Sequence, residues 1–385
     1  MKILVSADFA SQSTQSMLSR AYAAALLSSG HEVVLDNPTA RKGKEDPWVL
    51  ENSNRPDGWK ADLHLLGTWP HLYTSALYCS SVAVFDWNTD KLPNDNYGPK
   101  SDLVHRLNLT DFILASSSNV ASVLLENYVH TPSKVIPYPV ESQFYTEPAE
   151  KLYDARRAPL HEGWFKFVSF LSLDQESDYK SLLLGYLTSF SIEEVALVLY
   201  VRDDSERARL SKYIEEFRKS LKLRHKPSRI FIVPSVLSER DEVQLLRSCH
   251  CYVTTTRSTG LSIDITKALC AGLPVIASNA VGLSNEVSEA NGYLVESYQE
   301  PVYNVPKDSW NYTDQLWPRI DINAFQATLQ KAYQYRTGLA NKSKEAAKSL
   351  HSHTTEAVVK QLDNALEGVL AGARCEEAQN PKASS

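Results

Sequence analysis

The sequence predicts an α/β protein built from two doubly wound domains. Short apolar runs alternate with segments of helical spacing along both halves of the chain, the pattern of parallel sheets covered by helices on both faces. A length of 385 residues exceeds what one ordinary hydrophobic core serves. Prolines and charged residues interrupt the apolar rhythm over residues 137–160. We therefore expect the domain boundary there, between residues 145 and 146.

The first half, residues 1–145, begins directly with a buried-strand run, ILVSA. A helical stripe over Leu18–Leu27 follows and ends before Gly30. The next strand runs are HEVVL, DLHLLG, SVAVFDW and DFILAS. A helix capped by Asn119 is predicted to extend to Tyr128 before the segment KVIPYPV.

The second half, residues 146–325, repeats this plan. Its strand runs are FKFVSFL, VALVLYV, RIFIV and CYVTTT. Helical stripes lie between them, with apolar residues at Tyr179–Phe190, at Tyr213–Phe217 and at Val243–Leu246. After Val295 comes an aromatic, proline-rich connection through Trp310 and Trp317.

The last part of the chain is predicted to be helical and then disordered. Residues 326–372 carry apolar positions at helical spacing. Residues 373–385, ARCEEAQNPKASS, have the polar composition of a disordered tail.

Composition excludes several classes of protein. The formal net charge of −6 gives no general attraction to nucleic acid or anionic lipid. No apolar run is long enough for an ordinary transmembrane helix, and the N-terminus lacks a signal-peptide pattern. Five scattered cysteines fit a reducing, cytoplasmic environment. Cys249-His250-Cys251 has ligands on adjacent residues and no spaced partner pair, so we expect no zinc site.

The most informative stretch is Ser258 to Val295. It predicts a short loop containing Gly260, a helix beginning near Ile263, a turn through Ala271-Gly272, and a buried strand over Pro274–Ala277. Backbone N–H groups of such a loop, together with the helix dipole, suit a phosphate group. An ordinary strand-to-helix turn is the alternative.

The segment KALCAGLPVIAS, together with the order of elements around it, resembles glycosyltransferase family 4 of the GT-B fold. The resemblance implies two Rossmann-like domains facing each other across a cleft, with the last helix packed back on the N-terminal domain. It implies transfer of a sugar from a nucleotide sugar to a hydroxyl acceptor, with retained configuration and without a metal or other cofactor. The acceptor stays open among a saccharide, a lipid-linked glycan, a protein and modified nucleic acid.

Two family glutamates of the donor site are replaced in this chain. The family's first glutamate contacts the donor sugar and the second contacts the ribose hydroxyls; the matching positions hold Thr259 and Lys267. A lysine donates hydrogen bonds and cannot accept those of the ribose. Either Lys267 pairs with a donor phosphate or carboxylate, or turnover is lost. An ion pair with Asp264 within the helix is the simpler alternative.

The family's Arg-Lys pair for the diphosphate is also absent, since Glu176 and Ser177 stand there. Three other bases are candidates to neutralise phosphate, namely Lys180, Arg202 and Arg257, because the last two follow strands and ligands bind beyond the carboxyl ends of strands. Surface charges paired with neighbouring acids are the alternative. The remaining predicted donor-binding residues are Val236 in the base-reading segment VPSVLSERDEV, Ser258, Thr259, Gly260, Leu261 and Ser262 in the loop, and Glu286 in GLSNEV.

The N-terminal half contains an acceptor-like segment, FDWNTDKLP. Asp86, Asn88 and Asp90 could hydrogen-bond an acceptor hydroxyl, and His71 follows another strand end. We therefore regard all four side chains, Asp86, Asn88, Asp90 and His71, as candidate catalytic groups. A polar turn before a proline is the alternative for the segment.

Two rival functions stay open. The lost glutamates favour a non-catalytic GT-B protein that binds a glycan, a nucleotide or a partner subunit. The dense basic run Arg218–Arg229 permits a sugar transferase acting on modified DNA, although most such runs are solvated helix ends.

Overall fold

The computed structural model describes residues 1–11, 13–38, 46–73, 78–93, 102–148, 163–191, 193–222, 228–280, 286–303 and 314–379. For His71 and residues 373–379 it describes the backbone alone. The chain divides into two compact units, of which the first joins Met1–Val140 to the C-terminal segment Ser352–Ser385 and the second spans most of Glu141–His351. The N-terminal part of the first unit therefore ends at Val140, five residues before the boundary expected from the sequence. The C-terminal segment from Ser352 belongs to the same unit.

The first unit is built on a six-stranded parallel sheet of order β2-β1-β3-β4-β5-β6. Its strands are β1 (Lys2–Ser6), β2 (Glu32–Asp36), β3 (Leu63–Leu66), β4 (Ser80–Phe85), β5 (Phe112–Ala115) and β6 (Ser133–Val135). Its helices between strands are α1 (Thr14–Ser28), α2 (Pro47–Glu51), α3 (Leu103–Leu107) and α4 (Ser118–Glu126). Helix α4 is capped by the Ser117 hydroxyl and not by Asn119, because the strand ends one residue earlier than expected.

The second unit repeats the arrangement with the order β12-β11-β10-β7-β8-β9, again all parallel. Its strands are β7 (Phe165–Phe170), β8 (Val195–Tyr200), β9 (Arg229–Ile232), β10 (Cys251–Val253), β11 (Val275–Ser278) and β12 (Gly292–Val295). Its helices are α5 (Ser142–Thr146), α6 (Tyr179–Ser189), α7 (Asp204–Ser220), α8 (Glu239–Arg247), α9 (Ile263–Cys270), α10 (Ile322–Gln334) and α11 (Leu339–Ala347). The α/β class and both sheets confirm the predicted fold class.

A two-stranded antiparallel hairpin interrupts the second unit between β12 and α10. It pairs β13 (Ser297–Pro301) with β14 (Leu316–Ile320). The sequence predicted only an irregular aromatic connection here. Trp317 of β14 is fully buried, whereas Trp310 lies outside the described residues.

The chain ends in two helices, α12 (Leu350–His353) and α13 (Thr355–Gln379). Helix α13 contacts α1, and the His31 Nε2 atom lies 2.7 Å from a carboxylate oxygen of Asp363. Residues 373–379, predicted to be disordered, continue this helix, since Ala, Glu and Gln there favour it; residues 380–385 lie outside the described part. Among the described residues, no helix combines the length and apolar character needed to cross a membrane.

Candidate functional site

The predicted loop and helix of the second unit form as expected. Strand β10 ends at Val253, a loop follows, and α9 begins at Ile263 with the Ser262 side chain as its cap. The loop is tied to the neighbouring loop between β7 and α6, because the Arg257 N–H donates to the Glu176 carbonyl at 2.7 Å. Ser258 and Thr259 are buried within it. The two loops therefore form one surface beyond the carboxyl ends of β7 and β10, where α/β sheets bind ligands.

Lys267 is buried in the middle of α9, with 3% of the residue exposed. Its ammonium lies 3.0 Å from a carboxylate oxygen of Glu242 and 3.3 Å from one of Glu239, both on α8. Burial alone would raise the pKa of Glu242, but the charges of Lys267 and Arg202 hold that pKa below its ordinary value. The Glu242 side chain is therefore a stable buried anion, and Lys267 neutralises it.

Arg202, at the end of β8, completes the same cluster. Its Nε lies 2.8 Å from Glu242, and its Nη2 lies 2.7 Å from Asp264. The guanidinium also stacks at 5.5 Å on the ring of Phe170. Asp264, the acid that the sequence suggested as a partner for Lys267, forms an ion pair with Arg202.

Arg257 forms a second buried cluster, with 2% of the residue exposed. Its guanidinium lies 3.2 Å from Asp178 and 3.1 Å from Glu300, and it donates to the Tyr303 hydroxyl at 2.8 Å. The rings of Tyr303 and Trp317 stack on it at 5.1 and 5.2 Å. One cation thus joins the β7–α6 loop, its own loop and the β13–β14 hairpin.

These contacts change how the predicted bases can act. The charges of Arg202, Arg257 and Lys267 are all opposed by carboxylates at ion-pair distance. Lys180 differs, because it is exposed in the first turn of α6, where its ammonium lies 5.9 Å from the centroid of the Tyr179 ring. The N-terminus of α6 adds a favourable dipole for an anion. Lys180 is therefore the predicted base best able to reach a phosphate.

The other predicted donor residues lie on the same unit. Val236 is 53% exposed on the segment before α8, and the adjacent Leu237 N–H donates to the Tyr200 hydroxyl at 3.0 Å. Gly260 and Leu261 are buried in the loop before Ser262. Glu286 ends the second glycine-containing loop, and its carbonyl accepts from the Asn291 side chain at 2.6 Å; residues 281–285 of that loop lie outside the described part.

The candidate acceptor residues lie on the first unit beyond β4. Asp86 is buried and accepts from the Ser116 hydroxyl at 2.5 Å, while Asn88 and Asp90 are half-buried. Sequence reasoning missed Asn127, which holds this segment by donating to the Asp90 carbonyl at 3.1 Å and accepting from the Leu92 N–H at 3.0 Å. The side chain of His71 lies outside the described part.

Sequence reasoning also missed the acidic partners of the buried bases, Glu242, Asp178 and Glu300. One signal was available, because a lysine within the apolar helix IDITKALC must bury its charge against a carboxylate. Elsewhere, the described residues contain no group of three or more His, Cys, Asp or Glu side chains that could hold a metal ion. In the basic run, Arg218 and Arg229 donate to the carbonyls of Ser228 and Glu193, and residues 223–227 lie outside the described part.

Comparison with known proteins assigns this architecture. Residues 191–302, which include α8, β10, the loop and α9, match the family model "Glycosyl transferases group 1". Over those residues the chain is similar to group 1 glycosyltransferases. A search of curated protein sequences found no match.

Solved structures similar to this chain cover nearly all of it. Sucrose-phosphate synthase from Thermosynechococcus elongatus is 14% identical, with a TM-score of 0.70 over 97% of this chain and 100% of that one. HepE from Anabaena in complex with UDP-glucose is 15% identical, with a TM-score of 0.66 over 96% and 100%. A glycosyltransferase from Rickettsia africae is 13% identical, with a TM-score of 0.67 over 96% and 98%. At these identities the likeness establishes the GT-B fold.

Proposed function

We propose that this protein transfers a sugar from a nucleoside diphosphate sugar to a hydroxyl group of an acceptor. The observation that carries the proposal is the surface formed by the β7–α6 and β10–α9 loops, of which the second lies within the region that matches the group 1 family. Two helices, α6 and α9, begin at these loops. Their N-terminal N–H groups and dipoles favour a diphosphate there.

Lys180 takes the role that the family gives to its Arg-Lys pair. An exposed ammonium in the first turn of α6 can move to a phosphate oxygen without leaving a buried carboxylate unpaired. As the glycosidic bond to the diphosphate breaks, negative charge grows on the leaving oxygen. Lys180 and the loop N–H groups would stabilise that charge more than they stabilise the bound donor, which lowers the barrier.

Arg202, Arg257 and Lys267 act as supports in this proposal. Each is held by two carboxylates, so each fixes the position of a strand end, a loop or a helix. A preorganised loop reduces the reorganisation that accompanies transfer.

UDP is the first nucleotide to test, because one similar structure is HepE in complex with UDP and another is HepE with UDP and glucose. On the acceptor side, Asn88 and Asp90 are proposed to contact the hydroxyl that receives the sugar. Both follow the carboxyl end of β4, and both are half-buried. Asp86 is buried and accepts a hydrogen bond from Ser116, so it would position this segment.

Retention of the anomeric configuration, catalysis without a metal, and a cytoplasmic location complete the proposal. The four cysteines whose side chains the structure describes are free thiols, which suits a reducing compartment. Release of UDP from UDP-glucose in the presence of saccharide acceptors tests the function. The proton NMR spectrum of the product reports its anomeric configuration. We expect the rate of UDP release to be unchanged in EDTA. Absence of acceptor-dependent release with UDP-, GDP-, ADP- and TDP-glucose would contradict the proposal.

A second candidate is a non-catalytic GT-B protein that binds a nucleotide or a glycan. The observation favouring it is that three bases of this site, of which Arg257 and Lys267 are buried, are neutralised by carboxylates of the same unit. Nucleotide binding without acceptor-dependent release from any of the four donors would select this candidate.

A further inference from the structure

The β13–β14 hairpin is bonded to both loops that follow β10 and β11. At its start, the Ser297 hydroxyl donates to the Asn279 side-chain oxygen at 2.7 Å, directly after β11. In its middle, Glu300 lies 3.1 Å from Arg257 of the β10–α9 loop. The hairpin is therefore part of the proposed donor site and not a distant surface insertion.

One face of the hairpin carries an alternating row of rings and charges. Glu300 is opposite Trp317, and Tyr298 is opposite Arg319, so these four side chains share a face. Glu300 joins the two guanidinium groups, at 3.1 Å from Arg257 and 3.4 Å from Arg319. The Arg319 guanidinium lies 6.0 Å from the centroid of the Tyr298 ring.

The two ends of this row differ in exposure. Trp317 and Arg257 are buried and hold the hairpin to the loop. Tyr298 is 48% exposed, and the Arg319 side chain is 38% exposed. The buried contacts of Trp317 and Arg257 would be enough for a hairpin whose role is structural alone. The exposed ring beside a guanidinium offers an apolar face and several hydrogen-bond donors to a ligand.

The order of strands indicates which part of a donor would meet this end. Strand β9 and the following segment with Val236, proposed to read the base, lie on one side of β7 and β10. Strands β11 and β12, and the hairpin after them, lie on the other side. If a donor binds its diphosphate at the two central loops with its base on the β9 side, the hairpin lies on the side away from the base, where an extended donor places its sugar.

We propose that the hairpin is the sugar-reading subsite of this protein. Tyr298 packs its ring against the C–H face of the donor sugar, and Arg319 donates hydrogen bonds to oxygens at the edge of that sugar. This inference rests on the proposed function, because it assumes a nucleoside diphosphate sugar on the two loops. It assigns specificity to residues outside the loop and helix that hold the two positions of the family's glutamates, Thr259 and Lys267.

Calorimetric titration with UDP and with UDP-glucose tests the assignment, using the unmodified chain, Tyr298→Ala and Arg319→Ala. We expect each substitution to leave UDP affinity unchanged and to weaken UDP-glucose binding by about tenfold. Tyr298→Phe should retain UDP-glucose affinity, because it keeps the ring. Tyr335→Ala, which removes another exposed tyrosine of the same unit, is the matched control and should change neither affinity. Thermal melting checks that each variant is folded.

The outcomes distinguish failure of the hairpin assignment from failure of the proposed function. UDP binding with an unchanged preference for UDP-glucose in both variants would overturn the hairpin assignment alone. Equal weakening of UDP and UDP-glucose would also overturn it, since the residues would then act on the nucleotide. If the unmodified chain bound neither ligand, nor the GDP, ADP and TDP pairs, both the proposed function and this inference would fail.

Discussion

The ammonium of Lys267 and the carboxylate of Glu242 lie 3.0 Å apart, and both residues are buried. The ribose position that holds a glutamate in the resembled family thus holds a lysine here, while a carboxylate comes from the neighbouring helix α8. The opposite charges of Lys267 and Glu242 compensate each other within this pair. Arg202 also contacts Glu242, so two cations oppose that carboxylate.

Replacing Lys267 with methionine should destabilise the second unit by about 3 kcal/mol, because it leaves the Glu242 carboxylate with one cation fewer in a buried site. Combining Lys267→Met with Glu242→Gln should cost less than the sum of the two single substitutions, as expected for residues in direct contact. Urea unfolding measures each free energy.

The matched control for that cycle is Lys212→Ala. Its exposed ammonium lies 3.9 Å from Glu216, so its removal should cost less than about 0.5 kcal/mol. A stabilising Lys267–Glu242 ion pair would be contradicted if Lys267→Met lowered the free energy of unfolding no more than this control does. Additive effects of Lys267→Met and Glu242→Gln on that free energy would also contradict it.

The strands and α9 were predictable because their apolar runs are continuous, and this is a local property. The β13–β14 hairpin was not, since SYQEP is polar and Pro301 and Pro318 argue against strands. Antiparallel pairing at the edge of the unit accommodates these prolines. The pairing partners of the buried bases were not predictable either, because Asp178 and Arg257 are far apart in sequence and meet only through the sheet order.

Burial lowers the pKa of His64 to about 4 from an ordinary 6.5. Its Nε2 lies 2.8 Å from the Ser6 hydroxyl, which donates to Asp36, whereas Nδ1 has no partner within the described residues. Protonation would therefore bury an N–H without an acceptor. Between pH 6.5 and 4 the unfolded chain gains a proton that the folded chain does not. Stability should fall as pH decreases there, by up to about 1.4 kcal/mol per pH unit.

His64→Gln should remove this part of the pH dependence, because it has no group that titrates in that range. His130→Gln, at an exposed position, is the control and should preserve the dependence. The comparison requires unfolding free energies of the first unit at several values between pH 4 and 6.5. Equal slopes in the two variants would contradict the assignment to His64.

Two helix-interior glycines should respond to alanine with opposite signs. A Cβ at Gly185 in α6 would lie 2.4 Å from the Phe325 ring, whereas a Cβ at Gly368 in α13 would meet nothing within 4 Å. Gly185→Ala should destabilise by about 1–3 kcal/mol, because α10 packs closely there. Gly368→Ala should stabilise by up to about 1 kcal/mol through helix propensity. Thermal unfolding of both variants gives the signs, and a stabilising Gly185→Ala would show that α6 and α10 do not pack as described.

The donor site itself is tested most directly by calorimetric titration of the chain with UDP, GDP, ADP and TDP. We predict binding of one nucleotide, weakened by about tenfold in Lys180→Ala, the loss typical of a charge-assisted hydrogen bond. Lys212→Ala, which removes another exposed lysine of the same unit, should bind that nucleotide as the unmodified chain does. Absence of binding to all four nucleotides, or equal affinities in Lys180→Ala and Lys212→Ala, would contradict a diphosphate site at the start of α6.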